Sequence, residues 1–590
     1  MKKRLILLYA LTMSLAITGC TFSAKNNDRS IYSSDTTSEP ATIPVTSITL
    51  DNASLEIVEG GKGQISIKSV LPTSATDQSV SYSSNDKNVV VVSSSGLVTA
   101  VQTGSTKVVV SANDGSGVKT ECSVTVIEKR VDDGIAKQNA RLTYSDLDPS
   151  YNLPSKGKQT VLVLPIYFSD DRANATAENR EIIRKGFFGT AEDCKWNSFN
   201  SYYKTASFDQ LDYEGYVADW YAYPKTKQYI LDTSQSYVQT VVRDTLANFK
   251  QTNPSFDWSN YDNNHDGFVD QICVVYASDY VTNNGKTTNL WGFRWQTTQT
   301  DTLGGLQPYA FTWFSLKFLK NLNNYGGVPQ GGINTRIITH EHGHMLGLYD
   351  YYDTTYAGGV DYVGGYDMQS KNMMDWNSFS KYAVGWVSPY VIDYDTMLTK
   401  KTATVTIGSA ALDGDCILVK GSDWKGHPFD EYIMIELLNP YAGNNAYDCK
   451  NGAKDIGTGG IRLYHVDARV ISYGEELGHY STFDSNRRYN HRFNNDYSDG
   501  EHLLHLIQAG GSNTFGTKTG DGGSRDTLMK RDLFQTGDTF CLGTHDGFRN
   551  YGTNFFMNGT TFNNGSTLPY GIKFDKVTPN SATITFTLFE

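Results

Sequence analysis

The 590-residue sequence has few cysteines and, after its first twenty residues, no long apolar run. Seven cysteines without Cys-x-x-Cys spacing exclude a dense disulfide framework, although a pairing such as Cys194 with Cys449 stays open. No later stretch holds about 18 uninterrupted apolar residues, so no membrane-spanning helix is expected there. Basic residues are also in deficit, 51 Lys and Arg against 63 Asp and Glu, which argues against a nucleic-acid partner.

The single long apolar run opens the chain. MKKRLILLYALTMSLAITGC joins a basic start to an apolar segment and small residues, which predicts an export signal over residues 1–19. Its ending, ITGC, resembles a bacterial lipobox, in which the cysteine is lipidated and tethers the chain to a membrane. We therefore expect lipidation at Cys20 and a place on the bacterial cell surface, with plain secretion as the alternative.

Four further segments differ in pattern. Residues 20–43 are rich in Ser and Thr and predict a flexible linker. Residues 44–129 alternate in short strands separated by Gly, Asn and Asp, which predicts a small β-sandwich. Residues 130–395 mix apolar strands with amphipathic helices and predict an α/β catalytic domain. Residues 396–590 return to strand alternation and predict a C-terminal β-sandwich, so the chain is expected to be multidomain.

A histidine-rich stretch, THEHGHMLGLYD at residues 339–350, carries the clearest chemical signal. The apolar residues of 334–348 recur at helical spacing, which predicts a helix with one buried side. On a helix His340 and His344 lie one above the other, whereas His342 points away from them. His342 is therefore expected to be a hydrogen-bonding helix residue and not a metal ligand.

The helix places an H-E-x-x-H pattern on one face. In this pattern His340 and His344 bind Zn²⁺, and Glu341 between them serves as the general base. Gly347 is able to adopt a positive φ and turn the chain back, which brings Asp350 within reach as the third ligand. Three protein ligands leave the fourth position open, as in catalytic zinc sites.

Two alternatives stay open for this motif. Asp353 is the alternative third ligand in place of Asp350. The histidines are also explained, without any metal, as ordinary core or surface residues of a helix.

Longer stretches of the chain resemble a known family. HEHGHMLGLYD, followed by GGYDM and DWNSFSKYAVGW, resembles the immune inhibitor A-like metallopeptidases, secreted bacterial zinc endopeptidases of the metzincin type. Similar segments run from VLVLPIYFSDD to GGIRLYHVDARV, so that the resemblance covers about residues 158–470.

The resemblance implies a role for each residue of the motif. It implies zinc ligation by His340, His344 and Asp350 and a general base at Glu341. It also implies that Met368 lies in a tight turn beneath the zinc histidines, as a polarizable floor of the site.

A second resemblance concerns the segment before the catalytic domain. VSYSSNDKNVVVVSSSGLVTAVQTGSTKVVVSA resembles the bacterial immunoglobulin-like (Ig-like) group 2 domain. For residues 44–129 this implies either a spacer, which we favour, or a contact with a cell-surface glycan or protein.

The loop DNNHDGFVD is a candidate calcium site. Asp262, Asn264, Asp266 and Asp270 occupy positions 1, 3, 5 and 9 of a calcium-type loop, with Gly267 at the sharp turn. The usual bidentate glutamate at position 12 is missing. The alternative is an Asp- and Asn-rich solvent turn that binds no ion.

Together these patterns predict a membrane-tethered zinc metalloendopeptidase that hydrolyses peptide bonds of extracellular proteins. The rival hypothesis is a surface adhesin in which zinc is structural and the Ig-like domain binds a partner. Glu341 speaks against the rival, since a structural zinc requires no base beside the metal.

Overall fold

The structure is a computed structural model that describes residues 42–147, 153–233, 237–283, 286–297, 303–320, 328, 331–352, 361–451, 456–471, 502–515 and 527–589. Residues from Pro44 onward belong to one compact unit. The predicted signal over 1–19, Cys20 and Asp353 lie outside the described residues. No helix in the described part of the chain is both long and apolar enough to cross a membrane.

The N-terminal region is built from short strands whose side chains alternate between core and solvent. In its last strand Cys122, Val124 and Val126 are buried while their neighbours face outward, as a sheet with one covered face requires. Strands β2, β9, β8 and β5 form one sheet, β3, β7 and β6 a second, and β1 pairs with β4. The strands are β1 Ser47–Leu50, β2 Ser54–Val58, β3 Lys62–Gln64, β4 Ile67–Leu71, β5 Val80–Ser84, β6 Val90–Val92, β7 Leu97–Ala100, β8 Gly104–Ala112 and β9 Lys119–Ile127.

The middle region contains a mostly parallel sheet in the order β11-β10-β14-β19-β17, with β12 also paired to β10. Both faces are covered along the inner part of β10, which explains why this strand is apolar from Val161 to Phe168. Val161 and Val163 face the core that holds the helix Arg336–Met345, and Leu162 and Leu164 face the core that holds the helix Tyr237–Thr252. The strands are β10 Gly157–Phe168, β11 Leu211–Val217, β12 Tyr221–Tyr223, β13 Phe268–Val269, β14 Ile272–Tyr276, β15 Thr282–Asn283, β16 Lys286–Thr287, β17 Phe293–Gln296, β18 Gln307–Pro308 and β19 Ala310–Ser315.

Strand β17 is the antiparallel edge of this sheet. Within the described residues it pairs with β19 on one side and with no strand on the other. The helices of the region are α1 Tyr144–Leu147, α2 Ala177–Phe188, α3 Ala191–Cys194, α4 Phe199–Ala206, α5 Lys227–Asp232, α6 Tyr237–Thr252, α7 Leu316–Leu319, α8 Arg336–Met345, α9 Met368–Lys371 and α10 Ser378–Ala383, with a 3-10 helix at Trp258–Tyr261.

The C-terminal region has two sheets, β20-β22-β23-β24-β25 and β21-β28-β27-β26, that share one apolar core. Its strands are β20 Tyr390–Ile392, β21 Thr402–Ile407, β22 Cys416–Lys420, β23 Glu431–Leu438, β24 Gly460–Asp467, β25 Leu504–Leu506, β26 Thr539–Phe540, β27 Tyr570–Val577 and β28 Ala582–Leu588. Its helices are α11 Tyr394–Lys400, α12 Ala410–Asp413, α13 Asn445–Asn451 and α14 Gly552–Phe555, with 3-10 helices at Ala468–Ile471 and Lys530–Asp532.

The segment that joins the first two regions lies against the third. Val131 bridges to Val405 in β21, and Lys137 bridges to Tyr390 in β20. Buried Asp415 accepts ion pairs at 2.7 Å from both Lys129 and Lys137. The segment therefore adds its backbone to the C-terminal sheets before the chain enters the middle region.

The cysteines of the described chain are free thiols, Cys194 and Cys449 included. Burial raises the pKa of Cys416 to about 12, and it also raises that of Cys194 to about 12. Both thiols are therefore protonated and unreactive at neutral pH.

Candidate metal centre

Helix α8 presents the two predicted histidines on one face. It begins after Thr335, whose hydroxyl donates to the carbonyl of Asn197 at 2.7 Å, and its apolar side enters the core beneath the sheet. The rings of His340 and His344 lie one turn apart, with centroids separated by 4.8 Å and planes at 89°. The predicted helix is therefore present, and the two imidazole rings lie on the same face of it.

Glycine at position 347 allows the chain to reverse after the helix. Its φ is +95°, and a β-carbon there would lie 2.6 Å from the ring of Tyr144. The turn brings the carbonyl of Leu348 to 2.8 Å from Nδ1 of His344 and returns Asp350 to the histidines. A single positive-φ residue thus supplies both a support for one ligand and the position of the next.

Three ligand atoms converge at this point. Oδ1 of Asp350 lies 2.9 Å from Nε2 of His340 and 3.4 Å from Nε2 of His344, and the potential ligand atoms all lie within 4.8 Å of one another. Oδ1 is buried and accepts no hydrogen bond of good geometry from the described residues. Such a buried oxygen aimed between two ring nitrogens fits a divalent cation, and the His₂-carboxylate donor set suits zinc.

The opposite ring nitrogens are held by backbone carbonyls. Nδ1 of His340 donates to the carbonyl of Met368 at 2.8 Å, and Nδ1 of His344 donates to that of Leu348. Because each Nδ1 carries the hydrogen, each Nε2 presents its lone pair to the shared point. Met368 is fully buried at the start of α9, where the turn of GGYDM was predicted.

The charges of the site are mutually dependent. Burial acts to lower the pKa of His344, but the neighbouring Asp350 carboxylate outweighs it and raises that pKa to about 9. Burial acts to raise the pKa of Asp350, yet the positive charge that the two histidines carry when protonated holds it below its usual range. The cluster thus favours a cationic charge beside this carboxylate.

Glu341 follows His340 on the helix and is partly exposed. Burial raises the pKa of its carboxyl, although the two histidines oppose the shift. The carboxylate accepts the backbone N–H of Arg294 on edge strand β17. A carboxyl with a raised pKa, next to the candidate metal ligands and the sheet edge, is suited to accept and return a proton.

His342 lies on the other side of α8, in an aromatic cage. Its Nε2 is 3.0 Å from the hydroxyl of Tyr213, and the rings of Phe199 and Tyr203 pack edge-on against it. Burial lowers the pKa of His342 to about 3, so the ring stays neutral. This placement agrees with a hydrogen-bonding helix residue.

The candidate calcium loop lies at the N-terminal end of β14. Carboxylate oxygens of Asp262, Asp266 and Asp270 lie within 4.8 Å of one another. Asn264 is also in the loop, and its amide donates to Asp266 at 2.9 Å. Gly267 has the positive φ of +89° expected at the sharp turn.

Comparisons with known families agree with this geometry. Residues 158–385 match the immune inhibitor A peptidase M6 catalytic domain, and residues 44–123 match the bacterial Ig-like domain (group 2). The chain carries an immune inhibitor A-type peptidase domain. Both resemblances predicted from the sequence are thereby confirmed, and the catalytic region is that of a metallopeptidase.

Individual relatives match over shorter stretches. Immune inhibitor A of Bacillus thuringiensis subsp. alesti is 24% identical over 261 residues, 36% of this chain and 36% of that protein. An uncharacterized protein of Clostridium acetobutylicum is 36% identical over 67 residues, 11% of this chain and 17% of that protein. The chain therefore spans 36% or less of either relative. The crystal structure of the S-layer protein rSbsC(31-844) matches at 17% identity over 16% of this chain and 14% of that one, with a TM-score of 0.14.

The supports of the peptidase domain's site were not visible in the sequence. Gln369, next to Met368, places its amide between α8 and Trp376, whose Nε1 donates to it at 3.2 Å. A β-carbon on Gly343 would lie 2.3 Å from Oε1 of this amide, which explains the glycine inside the motif. Arg336 at the start of α8 pairs with buried Asp448 of the C-terminal region. Each partner lies far away in sequence, so no local pattern marks it.

Proposed function

We propose that this chain is a zinc metalloendopeptidase that hydrolyses peptide bonds of extracellular proteins. One observation carries the proposal: His340, His344 and Asp350 converge next to Glu341 in a domain of a metallopeptidase family. A purely structural zinc needs four protein ligands and no neighbouring base, whereas here three ligands stand beside a carboxyl with a raised pKa.

The residues divide the work of hydrolysis. His340, His344 and Asp350 would hold zinc, which when bound supplies the Lewis-acid chemistry that makes water a usable nucleophile at neutral pH. Glu341 accepts the proton of the attacking water and passes it to the departing amine. Met368 and Leu348 keep the imidazoles oriented through their carbonyls.

Edge strand β17 supports a polypeptide substrate. Gly292, the residue before the strand, packs on α8 so closely that a β-carbon there would lie 2.7 Å from Ile337, and the N–H of Arg294 within the strand reaches Glu341. An extended peptide that pairs with the open edge of β17 would place its backbone beside the catalytic carboxylate. This requirement for an extended backbone favours unfolded segments and loops as substrates.

The test is digestion of an unfolded protein by the wild type and by Glu341→Gln, with Glu178→Gln on the exposed start of α2 as the matched control. We expect loss of at least about a thousandfold in kcat for Glu341→Gln, with zinc retained, and a control equal to the wild type. A chelator should abolish cleavage and zinc should restore it. Equal cleavage by Glu341→Gln would remove this residue from the mechanism, and partner binding without turnover would support the adhesin.

We also propose a fold class for the catalytic region and one for the C-terminal region. The buried Met368 turn beneath His340 supports the metzincin type, and the shared core of the two C-terminal sheets supports a β-sandwich. We also propose the domain limits 44–129, 130–395 and 396–590.

A calcium ion at residues 262–270 is a further part of the proposal. The support is the approach of three carboxylates together with the glycine turn. Calcium there would fix the loop that leads into β14, a central strand of the catalytic sheet.

The location follows from the sequence signal. We propose export and a lipid tether at Cys20, which would hold the enzyme at the bacterial cell surface. Incorporation of a labelled fatty acid into the wild type but not into Cys20→Ser would support the tether. Equal labelling of both would exclude Cys20.

A further inference from the structure

A buried ion pair in the C-terminal region reaches the turn that supports the metal centre. Glu436 in β23 and Arg462 in β24 are paired across the two strands, with Nε and Oε1 2.5 Å apart. Their side chains are 0% and 3% exposed. Neither residue belongs to the segment matched by the peptidase family, which ends at residue 385.

The pair holds the turn segment, residues 366–378, near both of its ends. Nη1 of Arg462 donates to the carbonyl of Tyr366 at 3.1 Å. Oε2 of Glu436 accepts the backbone N–H of Ser378 at 2.7 Å and its hydroxyl at 2.5 Å. The two charged side chains therefore act on opposite ends of one short segment.

The two ends of the turn segment are joined to each other by hydrogen bonds to one buried carboxylate, that of Asp367. Asp367 accepts the N–H of Gln369 at 2.8 Å, and it accepts the backbone and side-chain N–H groups of Asn377, each at 2.8 Å. Its two ends thus cannot move independently. A displacement at Tyr366 or Ser378 would be passed to Met368, which lies between them.

Met368 is where the turn segment meets the metal centre, because its carbonyl holds Nδ1 of His340. The connection runs from Glu436 to Arg462, to the Tyr366 carbonyl, two residues along the chain to Met368, and to the imidazole. A buried ion pair adds little net stability compared with apolar residues of similar volume. Here the ion pair instead fixes the turn segment, and with it the Met368 carbonyl that orients His340.

We propose that Arg462 is a positioning residue for the zinc ligand His340, with Glu436 fixing Arg462, so that the C-terminal sheet completes the metal centre. This inference rests on the proposed zinc site. It predicts that zinc affinity depends on a residue about 120 positions beyond the histidine, outside the matched catalytic segment.

The experiment uses the full chain and measures zinc affinity by competition with a chromophoric chelator, together with thermal unfolding. The main variant is Arg462→Met with Glu436→Gln, which removes both charges and so avoids leaving one buried without a partner. The milder variant is Ser378→Ala, which removes one hydroxyl donor and keeps the ion pair. The matched control is Arg469→Met, just beyond the other end of β24, where Arg469 pairs with Asp467 at 2.7 Å.

We expect the double variant to bind zinc about tenfold more weakly, as loss of an outer-sphere support does. Ser378→Ala should lose about two- to threefold by the same principle. Arg469→Met should unfold at a lower temperature and keep wild-type affinity. Unchanged zinc affinity in Ser378→Ala and in a folded double variant would overturn the inference, as would equal weakening in Arg469→Met.

Failure of the inference is distinct from failure of the proposed function. The proposed function fails in the wild type, if that chain binds zinc without cleaving protein. The inference fails in the variants, if their zinc affinity equals that of the wild type.

Discussion

The two acidic clusters of the catalytic region differ in what their carboxylates contact. At α8, Oδ1 of Asp350 is buried, faces two ring nitrogens and accepts no hydrogen bond of good geometry from the described residues. In the loop, Asp262 accepts the N–H groups of Asp266 and Gly267, and Asp270 accepts two from Asn263. Within the described residues the first cluster leaves a buried carboxylate oxygen without a hydrogen bond, whereas the second is largely satisfied by its own backbone.

This difference shows that short distances between carboxylates do not by themselves define a metal site. Hydrogen bonds from the loop's own amides stabilise its acidic side chains at low cost. The supports around α8 instead leave lone pairs pointing at a common position, which only a cation or a proton satisfies. We therefore expect tight metal binding at α8 and weaker, conditional binding at the loop.

The largest effect is expected from removing the third ligand. Asp350→Ala should weaken zinc binding by about a hundredfold or more, because one of three protein ligands is lost. Asp353→Ala is the matched control and should retain wild-type affinity. Chelator competition measures both, and the reverse ranking would make Asp353 the ligand.

Gly343→Ala should have the next largest effect. The added β-carbon overlaps Oε1 of Gln369, so the amide and the turn behind it must shift, at about 1–3 kcal/mol of stability. Gly510→Ala is the control, since a β-carbon there meets no atom nearer than 4.0 Å. Thermal unfolding and kcat report the change. A Gly343→Ala protein as stable and active as the wild type would show that the side chain of Gln369 moves aside without a measurable cost in stability.

Calcium should change stability by a similar amount at the loop, without a direct effect on the candidate metal centre. Saturating Ca²⁺ is expected to raise the unfolding free energy of the wild type by about 1–3 kcal/mol, which corresponds to ligand at ten to a hundred times its Kd. Asp266→Asn should lose this gain and EGTA should reverse it. A wild-type melting temperature that does not change when calcium is added would support the alternative, in which residues 262–270 form a solvent turn that binds no ion.

The last effect concerns the pH dependence of stability and arises at a buried carboxyl in neither cluster. Burial raises the pKa of Asp413 to about 7; nearby Asp415 adds to the shift, and Lys129 and Lys62 oppose it. Because the folded-state pKa exceeds the unfolded value, its contribution to stability is present at low pH and is lost as pH rises from about 4 to 7. Asp413→Asn should therefore reduce the decline in stability between about pH 4 and 7. If the stability of Asp413→Asn depends on pH as that of the wild type does, other titratable groups cause the decline.

Local pattern was sufficient to predict part of the site. Helical spacing separates His342 from His340 and His344, and the need for a positive φ at Gly347 places Asp350 near the rings. These features depend on residues within one helix and one turn, where geometry follows directly from sequence.

The supports depend on pairing that no local pattern specifies. Arg462 and Glu436 become neighbours only through the register of β23 and β24, and Arg336 meets Asp448 from a different region. Alternation predicted strands in the C-terminal region but not which of them carry buried charges. The same holds for Val131, whose partner in β21 lies more than 270 positions away.

That last pairing has a consequence for the order of synthesis. Residues 129–137 contact β20, β21 and Asp415, all of which follow the catalytic sheet in the chain. In a chain that is synthesised, and as we propose exported, from its N-terminus, these early residues find their partners only in segments that follow hundreds of residues later. The proposed peptidase would then complete these contacts only after β20, β21 and Asp415 have been synthesised.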